Sequence, residues 1–167
     1  MRIPQRRADQ KDREKFDPCL SRDKFEALKN ELERLKNKQR PALALEVKRL
    51  AEMGDFSENA GYQLAKGRLR GLNNRILEIE ARLRYAEIIE PNKNLNQVQL
   101  GSQVTLEKNG QRTNYFLMGS LETDPSRGII SHNSPLGAAL LGKTIGEEII
   151  INRLNGKSKY KIVALLN

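Results

Sequence analysis

Two carboxylates three residues apart, Asp55 and Glu58, stand inside the stretch Met53-Gly54-Asp55-Phe56-Ser57-Glu58-Asn59-Ala60-Gly61-Tyr62. On the first turn of a helix such a pair lies on one face, and two kinds of chemistry are open to it. As a capping box, Asp55 accepts an early backbone N–H while Glu58 reaches back to the cap, and the helix dipole favours both charges. Alternatively, the oxygens converge on a divalent cation. Mg²⁺ needs only one or two protein carboxylates beside water and phosphate oxygens. The two roles are compatible. A lone carboxylate pair holds such an ion weakly, so no metal is expected to stay on this chain alone, and another molecule must supply the rest of the site.

The flanking segments must position the pair. Over residues 21–52 Ser21 is a helix N-cap, and apolar residues recur at Phe25, Leu28, Leu32 and Leu35, the spacing of a coiled-coil seam. They resume at Leu43, Val47 and Leu50 after a stutter through Gln39. Pro41 removes the hydrogen bond to Asn37, so a bend or irregular turn is expected there without a helix end. Over residues 58–90 the seam Tyr62, Ala65, Leu69, Leu72, Ile76, Ile79, Leu83 and Ala86 runs unbroken until Pro91 stops the helix. The short connection returns the second helix antiparallel to the first. Residues 21–90 therefore read as an antiparallel coiled-coil hairpin with its tip at 53–59.

Residues 1–20 have no apolar period and read as a mobile N-terminal arm, and 91–99 as a linker. From 100 to 167 the pattern changes to strands. Val104–Leu106, Asn109-Gly110, Tyr115–Met118, Ile129-Ile130, Ile149–Ile151 and Tyr160–Leu165 predict four or five short antiparallel strands with hairpin turns. Ser134 as N-cap, Pro135 in the first turn and Gly142 past the end bracket one short helix. The fold class is thus two-domain, a helical hairpin followed by an α+β domain.

Charge says what the hairpin faces. The 167-residue chain carries 30 Lys+Arg against 21 Asp+Glu, a formal net charge of +9, which points to a polyanionic partner. Residues 36–49 hold Lys36, Lys38, Arg40, Lys48 and Arg49 against Glu46 alone, and residues 59–77 hold Lys66, Arg68, Arg70 and Arg75 with no acid. The distal shaft is basic on both helices, and the sign reverses at Glu52, Asp55 and Glu58. Cys19 is the single cysteine, which excludes an internal disulfide and fits a reducing, cytoplasmic setting. No apolar run is long enough to span a bilayer, so no membrane partner is expected. His132, the only histidine, is expected to be structural or on the surface, without a metal cluster around it.

Gly54-Asp55-Phe56-Ser57-Glu58-Asn59-Ala60-x-Tyr62 resembles the signature of the Gre bacterial transcript-cleavage factors. Ile130-Ser131-x-Asn133-Ser134-Pro135-Leu136-Gly137 through Leu140-Leu141-Gly142-Lys143 resembles their second domain, which is FKBP-like. The resemblance covers about Leu20 to Leu165. It implies a factor that binds RNA polymerase through the secondary channel and stimulates cleavage of the backtracked RNA 3′ end. Asp55 and Glu58 would be the catalytic pair, holding a Mg²⁺ shared with the polymerase, so the chain is not an enzyme by itself. Arg40, Lys48, Lys66, Arg68 and Arg70 would face the extruded RNA, and Ser131, Asn133, Ser134 and Pro135 would lie on the polymerase-docking side. The free chain is expected to be a monomer. Gly61 stands where the family commonly has an acid, and Lys66-x-Arg68-x-Arg70 is similar to the more basic, GreB-like branch while the rest is GreA-like. The alternative is a channel-binding inhibitor of the same fold. Prolyl isomerisation is discounted because only Tyr115, Phe116 and Tyr160 could line an aromatic pocket.

Overall fold

The computed structural model describes residues 17–53, 60–90, 96–153 and 156–166. The described residues divide into a helical unit, Phe25–Tyr85, and a sheet-rich unit built from residues 17–24 together with those from Ala86 onward.

The helical unit follows its seam. Helix α1 spans Arg22–Arg34, with Lys24 N–H donating to Ser21 Oγ at 3.1 Å as the cap predicts. It continues into a π-helical segment, Leu35–Gln39, and then α2, Arg40–Glu52. In the π-helical segment Arg40 N–H donates to Leu35 O, five residues back. Two demands meet here. Pro41 cannot donate to Asn37, and the step from Leu35 to Leu43 is one residue longer than a heptad. A wide turn absorbs the extra residue and returns Leu43 to the inner face. The expected irregularity without a helix end is present.

Helix α3, Ala60–Arg84, packs on α2 and on the π-helical segment. Leu28, Leu35, Ala65, Ile76 and Ile79 are buried, and every other seam position of both segments is half-buried. Helix α2 buries no residue completely, so packing thins along it. The second helix was expected to run to Pro91. It ends at Arg84, and Glu87–Ile88 form a short strand, β2, paired in parallel with β1, Cys19–Leu20. Glu87 N–H donates to Pro18 O and Ile89 N–H to Leu20 O, each at 2.8 Å. β-branched Ile88 and Ile89 favour this extended pairing over a last helical turn. The same pairing corrects the expectation of a structureless arm at its C-terminal end, where Leu20 is only 2% exposed.

The sheet-rich unit holds β3 (Gln103–Lys108), β4 (Gln111–Met118), β5 (Ile129–Ser131), β6 (Glu148–Arg153) and β7 (Gly156–Leu166), in the order β5-β4-β3-β7-β6. Asn109 and Gly110 both take positive φ, 53° and 78°, which lets the β3–β4 hairpin follow the strand twist. All strands were expected to be antiparallel. β5 instead pairs in parallel with β4, because two 3₁₀ turns, Ser120–Glu122 and Pro125–Arg127, carry the chain back to the start of the strand pair. A register shift between Thr105 and Leu106 leaves Val163 unpaired in β7, so its buried residues change phase, from Tyr160 and Ile162 to Leu165.

Helix α4, Pro135–Leu140, packs against β5 and β6 and places Leu140 in the core. The core comprises Val98, Val104, Leu106, Leu117, Leu140, Ile149, Ile151, Tyr160, Ile162 and Leu165. Val98 falls in the stretch read as a linker. It is fully buried, and its backbone is fixed by Val98 N–H to Lys143 O and Gly142 N–H to Val98 O. No helix among the described residues is long and apolar enough to cross a membrane.

Candidate functional site

Asp55 and Glu58 lie outside the described residues. The structure supplies what flanks them. α2 ends at Glu52 with Met53 as its C-cap, and α3 begins at Ala60, so the acidic motif occupies the connection between the two helices.

Behind that connection the five basic residues fall into different situations. Lys66 and Arg70, one turn apart on α3, border a notch of about 240 Å³ with Gln63 and Gly67. A Cβ placed on Gly67 would meet nothing within 4 Å, so the glycine leaves the notch floor open. Lys66 Nζ stands 5.9 Å from the Tyr62 ring centroid, a cation–π contact that biases its position. Arg68, two residues on from Lys66, points to another side of α3 and is exposed. Arg40 borders a separate groove with Lys36, Asn73, Ile76, Leu77 and Glu80. Lys48 pairs with Glu52 at 3.9 Å, both exposed. Among the described residues Arg40, Lys66, Arg68 and Arg70 make no ion pair.

Two other charges counted in the basic shaft are engaged within the protein. Arg75 Nε donates to Glu31 Oε1 on the facing helix at 3.0 Å, and Nη1 to Glu78 Oε2 at 3.3 Å. Lys36 pairs with Glu80 across the same helices. Glu31 foremost, then Glu78, holds the Arg75 guanidinium more firmly charged than usual. The hydrogen bond from Arg82 foremost, with help from Arg75, holds the Glu78 carboxyl below the ordinary range. The outward basic surface is therefore smaller than a charge count gives.

The loop Ser131–Pro135 in the sheet-rich unit is fixed from below. Ser131 is 8% exposed, and its Oγ lies 2.8 Å from Ser120 Oγ and accepts Asn133 N–H at 3.0 Å. Ser134 Oγ donates to Ser131 O at 2.6 Å and accepts Gly137 N–H at 3.0 Å, capping α4. These two hydroxyls shape the loop, while Asn133 and Pro135 remain exposed.

Asp17, absent from the sequence expectations, is the keystone of this region. Its Oδ1 accepts Cys19 N–H at 3.0 Å, and its Oδ2 accepts Ser120 N–H at 2.6 Å and Asn133 Nδ2 at 3.4 Å. Burial opposes its charge, but the bonds from Ser120 and Cys19 and the nearby His132 hold the carboxyl below its usual range. His132 Nδ1 lies 3.6 Å from Oδ2. Asp17, Cys19 and His132, which the sequence alone did not bring together, present ligand-type atoms within 4.8 Å of one another. The clue was Pro18-Cys19-Leu20, a short apolar break in a polar arm. Burial, then Asp17, pushes the Cys19 thiol up to about 11.

The Tyr115–Tyr160 face of the sheet borders an open space of about 410 Å³ with Lys108, Asn109, Gln111 and Thr113. Lys108 Nζ sits 5.3 Å from the Tyr160 ring centroid, so a charged group shares this space with the two aromatic rings.

Two family models match the chain. Residues 19–88 match "Transcription elongation factor, N-terminal" and residues 92–167 match "Transcription elongation factor, GreA/GreB, C-term". The transcription elongation factor GreA of Solidesulfovibrio magneticus is 42% identical over 87% of this chain and 90% of its own length. GreA of Macrococcus caseolyticus is 37% identical over 87% of this chain and 94% of its own. The crystal structure of Thermus aquaticus Gfh1 is 27% identical, covers 89% of this chain and 97% of its own, and superposes with a TM-score of 0.41. The assignment rests on the sequence matches, which extend through both units: the chain belongs to the GreA/GreB family of transcription elongation factors.

Proposed function

We propose that this protein acts on RNA polymerase through the secondary channel and stimulates the polymerase's own cleavage of the 3′ end of backtracked RNA, rescuing arrested complexes. The observation that carries this reading is the relatives' name, transcription elongation factor GreA, at 42% and 37% identity over most of the chain, together with Asp55 and Glu58 in the tip motif. The helical unit acts as a coiled-coil finger and the sheet-rich unit as an FKBP-like docking domain. The chain is not an enzyme by itself. It lends side chains to another protein's active centre.

The donor set fits the metal. Two carboxylates are hard oxygen donors, suited to Mg²⁺, and too few to hold it unaided. Asp55 and Glu58 would hold the ion jointly with the polymerase, and the chemistry it would supply there is activation of a water for phosphodiester hydrolysis. Lys66 and Arg70, at their notch, attract the phosphates of the extruded strand, and Arg40 and Arg68 add to the field without sequence preference. Lys48 contributes less, because Glu52 shares its charge. Asn133 and Pro135 meet the polymerase, on a loop that Ser131 and Ser134 hold in shape. The inhibitor alternative is not favoured, since the activating acids are present and the relatives carry the elongation-factor name.

The test is a backtracked elongation complex with this protein added and RNA length followed over time. Wild type is expected to release short 3′ fragments in a Mg²⁺-dependent way. Asp55→Asn and Glu58→Gln are each expected to lower the stimulated rate by about 100-fold or more, the scale of removing one group that stabilises transition-state charge. Polymerase binding should survive both changes. Unchanged cleavage by these variants would sink the metal-sharing reading, and inhibition without cleavage by wild type would establish the alternative.

A further inference from the structure

Three side chains that the proposed cleavage function does not use meet at one point of the sheet-rich unit. Asp17 and Cys19 come from the start of the chain and His132 from the turn after β5, yet their ligand atoms lie within 4.8 Å of one another. The site is sheltered: the Asp17 side chain is 8% exposed and that of His132 18%. We propose that Asp17, Cys19 and His132 form a binding site for one soft transition-metal cation of the Zn²⁺ class.

The donor chemistry selects the class of ion. A thiolate and an imidazole favour Zn²⁺ and its neighbours over Mg²⁺ or Ca²⁺, which take oxygen ligands. One pair of ligand atoms already has the spacing such an ion needs, and the set of three, within 4.8 Å, would have to draw in around it. With metal–nitrogen and metal–oxygen bonds of about 2.0–2.2 Å, two ligands of a tetrahedron stand about 3.3–3.6 Å apart. His132 Nδ1 and Asp17 Oδ2 are 3.6 Å apart already.

The carboxylate is held in place for this task. Cys19 N–H fixes one oxygen and Ser120 N–H the other, the kind of outer hydrogen bond that orients a metal ligand. Met118 O, 3.4 Å from Nδ1, is the group that the imidazole gives up when it turns to the ion. Three protein ligands leave a fourth position for water. Binding displaces the Cys19 thiol proton, so each ion bound releases a proton to solvent. The bond network places a consequence nearby. Ser120 and Asn133 share Asp17 with the site, so a bound ion would tie the segment before α1 to the Ser131–Pro135 loop.

The test uses the full chain, reduced and stripped of metal, titrated with Co²⁺ as an optical stand-in for Zn²⁺. The expected result is one Co²⁺ per chain, with a thiolate charge-transfer band and the intense visible bands of a tetrahedral site, both lost when Zn²⁺ is added. Cys19 is the only cysteine, so the band has one source. Cys19→Ser should abolish it, and His132→Gln and Asp17→Asn should each weaken binding at least 10-fold, matching or exceeding the loss from outer-shell changes. As a check on the unmutated chain, Zn²⁺ should slow alkylation of Cys19 and raise the melting temperature. A wild-type titration without the thiolate band, or a band equally strong in His132→Gln, would overturn the site. So would alkylation at the same rate with and without Zn²⁺.

Discussion

The two ends of the helical unit use the same kinds of residue differently. Toward the end where α1 begins and α3 stops, Leu28, Leu35, Ile76 and Ile79 are buried and the charges close on one another: Glu31 with Arg75, Glu78 with Arg75 and Arg82, Lys36 with Glu80. Toward the Asp55–Glu58 connection, α2 buries nothing completely, Ala65 is the buried residue of that part of α3, and Lys66, Arg68 and Arg70 face outward without ion pairs among the described residues, while Arg40, beside Lys36 and Glu80, marks the boundary between the two ends. One end is closed on itself, and the other leaves its basic side chains outside the protein's own ion pairs. Charge available to a ligand is what remains after the fold has consumed its share.

The sharpest way to break that contrast is through packing. Ile79 is fully buried, so Ile79→Ala should cost about 2–5 kcal/mol, transfer and cavity together. Val47 is half-buried in a seam that thins, so Val47→Ala should cost under about 1 kcal/mol. Urea unfolding followed by helical circular dichroism measures both. Equal costs would mean that the open end is as tightly packed as the closed one.

The helices were legible because the seam period is strong. The positions read as apolar seam in each helix are all buried or half-buried, and Pro41 with the stutter announced an irregular turn, which is the π-helical segment. The hairpin turn at Asn109-Gly110 and the Ser134 cap were legible for the same local reason. Non-local pairing was not legible. Nothing in Glu87-Ile88 says that it pairs with Cys19-Leu20, and β5 reads the same whether its neighbour runs parallel or antiparallel. The Asp17 network escaped because its members are 103 to 116 residues apart. Arg75 was misjudged for the same reason: its partner Glu31 lies on the other helix, beyond any window of neighbouring charges. The acids Asp55 and Glu58, read from the motif, fall outside the described residues.

Charge substitutions sharpen the contrast at a smaller scale. With single-stranded RNA and fluorescence anisotropy, the pair Lys66→Gln and Arg70→Gln should lower the salt slope of binding by about 1.4, or about 0.7 for each phosphate no longer neutralised. Arg75→Gln should leave the slope unchanged and lower helical stability by less than about 1 kcal/mol, because its ion pairs are partly exposed. Acid should find the same end. Arg82 foremost holds Glu78 below its unfolded value, so its stabilisation is present above that unfolded value and is lost as pH falls through the folded one. Helical unfolding followed from neutral pH into the acid range should therefore lose less stability in Glu78→Gln than in wild type. Identical acid profiles would remove the ion-paired cluster as a stabilising element.

The smallest expected effect separates two glycines on one helix. A Cβ at Gly67 or Gly71 meets nothing within 4 Å, whereas one at Gly137 in the sheet-rich unit would stand 2.0 Å from Ser131 O. Gly137→Ala must therefore push backbone apart, while Gly67→Ala and Gly71→Ala should each stabilise α3 by about 0.5–1 kcal/mol, the helix cost of glycine relative to alanine. The two helix variants then diverge in binding. Gly67 floors the notch between Lys66 and Arg70, and Gly71 does not border it. A methyl at Gly67 should weaken RNA binding slightly despite the stiffer helix, and a methyl at Gly71 should leave it unchanged. If both weaken binding alike, helix flexibility is what the RNA requires. If neither does, the notch is too shallow to seat a phosphate, and the basic face of α3 acts through its field alone.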